Sequence, residues 1–184
     1  MKIIFNLLVL FALFKLNIQK TTAQINPGAN CEDATCSNFG SYPNLTDIPS
    51  MGSYDCLGTT PNPNWIAIGI ENSGDLILNI TQSSGDVDFA AYGPYASVAE
   101  ACPIDENTTA IDCSYSASAS ETLQINNVQI GEVYVILITN FVNSSGTITV
   151  TTETGSTATV NCNINFEVDF DVTPDYCGIG NGTV

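Results

Sequence analysis

Apolar residues recur at every second position through most of this chain, and that period commits it to strands. Ile66, Ile68 and Ile70 fall on one face, as do Leu76, Leu78 and Ile80 after an Asn72-Ser73-Gly74 turn. Val87 and Phe89 alternate with Asp86 and Asp88, and Ile148 and Val150 alternate with threonines after Ser145-Gly146. Glu132 to Thr139 is apolar on both faces, which predicts a central strand covered on each side. Only Ala96 to Ala101 reads as a short helix. Strands separated by Gly, Asn and Ser turns predict an all-β fold, an antiparallel β-sandwich. Its apolar faces include Ile66, Ile68, Leu76, Leu78, Phe89, Val135 and Leu137.

Charge then narrows the chemistry. Lys2, Lys15 and Lys20 are the only basic residues, the chain has no histidine, and all nineteen Asp and Glu follow Lys20. Nucleophile pairs that rely on His or Lys as base are therefore absent beyond residue 20. Nucleic acid and anionic lipid are excluded as partners for the same stretch, because both are gripped by cations. Carboxylate chemistry, oxygen-ligated metals and binding without chemistry remain. Neither Asp-Thr-Gly nor Asp-Ser-Gly occurs, and a small sandwich offers little room for the cleft that a carboxylate pair needs for catalysis. The chain reads as no enzyme, with no required cofactor.

Residues 1–24 have the form of a secretory signal. Lys2 precedes an apolar run from Ile3 to Phe14 interrupted only by Asn6, and the small residues Thr21 and Ala23 mark cleavage after Ala23 or Gln24. A run of twelve residues falls short of the roughly twenty that span a bilayer, so no membrane insertion is expected after signal removal. Seven cysteines suit an oxidising compartment. Cys31, Cys36, Cys56, Cys102, Cys113 and Cys162 form an even set, read as disulfides because neither C-x2-C spacing nor histidine is present for zinc. Six cysteines allow fifteen pairings; Cys102 with Cys113, flanking an acidic turn, is the expected local bridge. Cys177 stands apart. Phe166, Val168, Phe170 and Val172 alternate with Glu167, Asp169 and Asp171 before Pro174, which predicts a linker strand over 164–184 leading into a second, truncated β repeat.

Four segments carry a family resemblance. They are Cys56-Leu-Gly-Thr-Thr-Pro-Asn-Pro-Asn-Trp65, Asp86-Val-Asp-Phe-Ala-Ala-Tyr-Gly-Pro94, Asp112-Cys-Ser-Tyr-Ser116 and Gly131-Glu-Val-Tyr-Val-Ile-Leu-Ile-Thr-Asn-Phe141. Over residues 28–163 the chain resembles an N-terminal module of large Bacteroidetes surface adhesins, and its tail from Asp175 is similar to the opening of an SprB-type repeat of gliding-motility adhesins. The resemblance implies a jelly-roll-like sandwich similar to pre-peptidase C-terminal domains. It also implies a secreted or cell-surface location, with export through the type IX system in the full-length protein. The partner it implies is an extracellular protein or polysaccharide. The module has no agreed activity, so the alternatives of an ancillary domain on an exported hydrolase and of a carbohydrate-binding module stay open.

Two sites follow from the residues themselves. Asp86 and Asp88, two apart on one strand face, present two hard oxygens suited to calcium, with Glu71, Asn72 and Asp75 or Asp105 and Glu106 to complete the shell. The competing reading is a solvated acidic face, or carboxylates bonded to nearby backbone. Trp65, Tyr92 and Tyr95 offer aromatic faces for a sugar ring; the competing reading for Trp65 and Tyr92 is that they close the core.

Overall fold

The computed structural model describes residues 28–162. The predicted signal, the 164–184 strand and Cys177 lie outside the described residues. Among the described residues there are ten strands: β1 (Thr35–Cys36), β2 (Gly40–Pro43), β3 (Asn64–Asn72), β4 (Gly74–Gln82), β5 (Val87–Tyr95), β6 (Asp112–Ser114), β7 (Ser120–Val128), β8 (Val133–Asn140), β9 (Thr147–Thr152) and β10 (Thr159–Val160). One short helix, α1 (Val98–Ala101), begins where the Ser97 side chain accepts a hydrogen bond from the Glu100 amide. This is the helix expected within Ala96–Ala101.

The strands form two sheets packed as a sandwich. The first runs β1-β3-β8-β5-β6, with β10 also on β3; the second runs β2-β9-β4-β7. All pairings are antiparallel except the two-residue contact of β1 with β3. Strands β3 and β4 belong to different sheets although Ser73 alone separates them, so this turn is a corner between layers rather than a hairpin. Gly74 makes the corner with φ of 154°, and a Cβ there would lie 2.8 Å from the Ala158 nitrogen. Glycine is the residue that fits.

Between the sheets lie Ile66, Ile68, Ile70, Leu76, Leu78, Ile80, Val87, Phe89, Leu123, Ile136, Ile138, Ile148 and Val150. These are the alternating sets of the sequence. Val135 and Leu137 face the other way. They join Cys31, Leu57, Trp65, Ala67, Ala90, Tyr92, Ala101 and Ile104 in a second core on the outer side of the first sheet. The cover for this second core is irregular chain: the long connection from β2 to β3, which contributes Leu57, and the segment around α1. Strand β8 occupies the centre of its sheet and is buried at every position, as its two-faced apolar run requires.

Three disulfides hold the cover down. They join Cys31 to Cys102, Cys36 to Cys162 and Cys56 to Cys113. The expected Cys102–Cys113 bridge is therefore wrong. Cys113 lies on β6 opposite Ala90 of β5, where the β2–β3 connection brings Cys56 to it. Cys102 caps α1 and meets Cys31 of the N-terminal turn instead. Nearness in sequence suggested the local pair, but the cysteines serve to pin separate flaps onto one sheet face. Three such bonds fit an oxidising compartment. Among the described residues no helix is long and apolar enough to cross a membrane.

Candidate functional site

Asp86 immediately precedes β5 and Asp88 is its second residue, so both side chains leave the outer side of the first sheet while Val87 and Phe89 enter the sandwich core. The connection from β6 to β7 crosses from one sheet to the other and wraps over them. Its Ser116 amide donates to Asp88 Oδ1 at 3.1 Å, and its Ser118 amide donates to Asp86 Oδ1 at 3.1 Å. The Val87 amide returns a bond to the Ser118 carbonyl at 2.8 Å. Both carboxylates thus hold backbone, which is the competing reading made on sequence. It accounts for only one oxygen of each.

Asp88 is 1% exposed, and its Oδ2 is enclosed with no hydrogen-bond partner. Thr139 stands directly opposite on β8, near enough to favour the charged form, but its hydroxyl falls outside hydrogen-bond geometry and is also unpartnered. Burial, followed by the neighbouring Asp86 charge, pushes the Asp88 carboxyl up to about 7; Glu121 adds to this, while the Ser116 amide opposes it. Glu121 itself accepts from Ser114 Oγ at 2.7 Å and from Ser116 Oγ.

Asp86 and Asp88 line a recess of about 190 Å³ with Tyr115, Ser116, Ala117 and Phe141. The Tyr115 and Phe141 rings meet edge to face with centroids 6.4 Å apart, and each residue is 46% exposed. Val142, next to Phe141, is exposed too. Asp88 is the one acidic side chain among the described residues with an enclosed, unpartnered oxygen, and it sits beside an open aromatic rim. Wider clefts of about 540 and 520 Å³ lie beside Phe39 and beside α1, but none of the enclosed unpartnered polar atoms lines either.

The suggested completions of a calcium shell sit elsewhere. Asp88 pairs with Thr139 at one end of β8, while Gly69 pairs with Val133 at the other, and Glu71 lies beyond Gly69. Six residues of strand separate the two ends, about 20 Å at ~3.3 Å per residue. There Glu71 accepts from Thr159 and Asn161, and Asp75 accepts from the Asn127 amide. Among the described residues no three Asp, Glu, Cys or His side chains gather as a metal cluster.

Two of the three rings suggested for a sugar platform lie inside the core. Trp65 and Tyr92 are fully buried, 6.2 Å apart in the second core, and Tyr54 packs edge-on against Trp65. The core reading of these two residues holds. Sequence reasoning passed over Tyr115 and Phe141 as site residues. The available signal was Phe141 directly after the buried run of β8, where the covering layer ends. Comparison of the chain with known protein families and with curated proteins finds no significant match.

Proposed function

We propose that this chain is a noncatalytic interaction module of a secreted or cell-surface protein of adhesin type, in keeping with its resemblance to gliding-associated surface proteins. The observation that carries the reading is the open recess at Asp86, Asp88, Tyr115 and Phe141, mounted on a sheet whose covering flaps are fixed by three disulfides. A rigid seat with exposed aromatic rings and an incompletely paired carboxylate is suited to gripping a partner. From residue 21 onward the chain supplies no histidine, lysine or arginine to move protons at neutral pH. Its strongly acidic surface selects against acidic partners and favours basic or neutral ones.

Surface labelling of intact expressing cells with an antibody against the sandwich tests the location. Competition of cell attachment by the purified exported chain tests the role. Labelling of intact cells together with loss of attachment is the expected result. Cytoplasmic antigen would overturn the reading. Antigen that co-purifies with a hydrolase and leaves attachment unchanged would favour the ancillary-domain alternative.

A further inference from the structure

We propose that the recess bounded by Asp86, Asp88, Tyr115 and Phe141 is a receptor for the side chain of a lysine on a protein partner. The inference deepens the reading of the chain as an interaction module by naming what the module grips.

The first observation is the floor. Asp88 Oδ1 is satisfied by the Ser116 amide, while Oδ2 is enclosed and empty-handed. Asp86 and Glu121 add negative charge beside it. A buried carboxylate in this state is costly unless a cation or donor meets it. No cation can come from residues 28–162, which contain no lysine, arginine or histidine. A charged complement must arrive from outside them.

The rim identifies its shape. Tyr115 and Phe141 are half-exposed where they line the recess, so its entrance carries two aromatic rings. Such a wall accommodates methylenes and attracts a cation through the ring faces. Access of an end group to the enclosed Asp88 oxygen requires these half-exposed rings to turn aside. At about 190 Å³ the recess is smaller than the roughly 300 Å³ at which small-molecule pockets begin. One side chain fits; a sugar ring with its neighbours does not.

The floor also discriminates between cations. An arginine fork seeks a carboxylate with both oxygens free, but Asp86 and Asp88 each have Oδ1 committed to a backbone amide. A compact ammonium needs only the remaining oxygens. Calcium seeks six to eight oxygens, and no third acidic side chain joins this pair as a metal cluster among the described residues.

The test is an amide-resolved NMR titration of the exported chain at fixed pH and ionic strength. The probes are Nα-acetyl-lysine N-methylamide, its arginine counterpart, n-butylammonium, a flexible peptide with one lysine, and calcium chloride. Saturable shifts at the Ser116 and Ser118 amides are expected with the lysine probes, with the arginine probe about tenfold weaker. The peptide should bind at least as tightly as n-butylammonium. Asp86→Asn and Phe141→Ala should each weaken lysine binding about fivefold or more while the remaining amide spectrum keeps its folded dispersion. Absence of saturable shifts with lysine overturns the proposal, whatever the cell-attachment result. Calcium shifting the same amides at lower concentration than lysine assigns the site to the metal and overturns it too. Free amine binding more tightly than the peptide overturns the protein partner.

Discussion

The Ser116 amide holds Oδ1 of Asp88 across 3.1 Å and leaves Oδ2 of the same carboxylate enclosed without a donor. Half of one side chain is structural and the other half is unspent. The folded carboxyl titrates at about 7, against 3.8 for an unperturbed aspartate. Between those values the folded chain keeps a proton that the unfolded chain has lost. The extra stability is complete below the lower value and gone above the upper one. Stability should therefore fall as pH rises through this window, by up to about 4 kcal/mol from this group. Asp88→Asn should flatten that part of the profile, with little effect near pH ~4 and stabilisation of roughly 2–4 kcal/mol near pH ~8. Urea melts at fixed ionic strength check this, since general repulsion among the acids has the same sign and persists in the variant.

The disulfide pairing has a sharp readout. Replacing Cys102 and Cys113 together by serine breaks two bridges and should release two thiols, on Cys31 and Cys56. A direct Cys102–Cys113 bridge would release none. Alkylation followed by intact mass distinguishes the two outcomes. Replacing Cys36 and Cys162 together removes the longest loop, a separation of 126 residues, and should cost about 4–5 kcal/mol by chain entropy.

Trp65 is the chain's only tryptophan and is fully buried beneath the irregular cover. Its emission should be blue-shifted and nearly immune to acrylamide in the oxidised protein. After mild reduction, quenching should rise before strand circular dichroism is lost, because the flaps over the second core open before the sandwich does. Simultaneous loss of both signals would show that the two cores unfold as one.

Asn140 ends β8 and fastens three pieces of chain. Its Oδ1 accepts from Gln82 Nε2 at 2.7 Å, and its Nδ2 donates to the carbonyls of Leu45 and Ser144. Asn140→Ala should cost roughly 2–4 kcal/mol by leaving these buried groups unpaired. Asn140→Asp should cost as much near neutral pH, since a carboxylate cannot donate to either carbonyl. Denaturant midpoints read both.

The sandwich was legible because each strand states its inner face by period two, from Ile66 through Val150. The second core was half legible. Val135 and Leu137 announced that β8 is covered twice, but the cover consists of aperiodic chain whose only regular marker is its cysteines. Pairing of those cysteines depends on which flap reaches which strand, and that is a three-dimensional fact. Asp86 and Asp88 were found by spacing, and the amides that claim one oxygen of each come from a loop about thirty residues away. Tyr115 and Phe141 converge from separate connections, so no local pattern linked them to the acids.

Cys36, the last residue of β1, is bonded to Cys162, two residues beyond β10, and both of these strands pair with β3. Under tension this bond becomes a bypass. A pull applied at Gly28 and at the residue after Cys162 runs through this sulfur bridge, while the Cys31–Cys102 bond passes part of the load to the end of α1. The extension available before a covalent bond takes the force is the slack of residues 28–36, about 30 Å at full stretch. In a tether subjected to shear, such a unit lengthens by no more than that slack before the covalent path is taut.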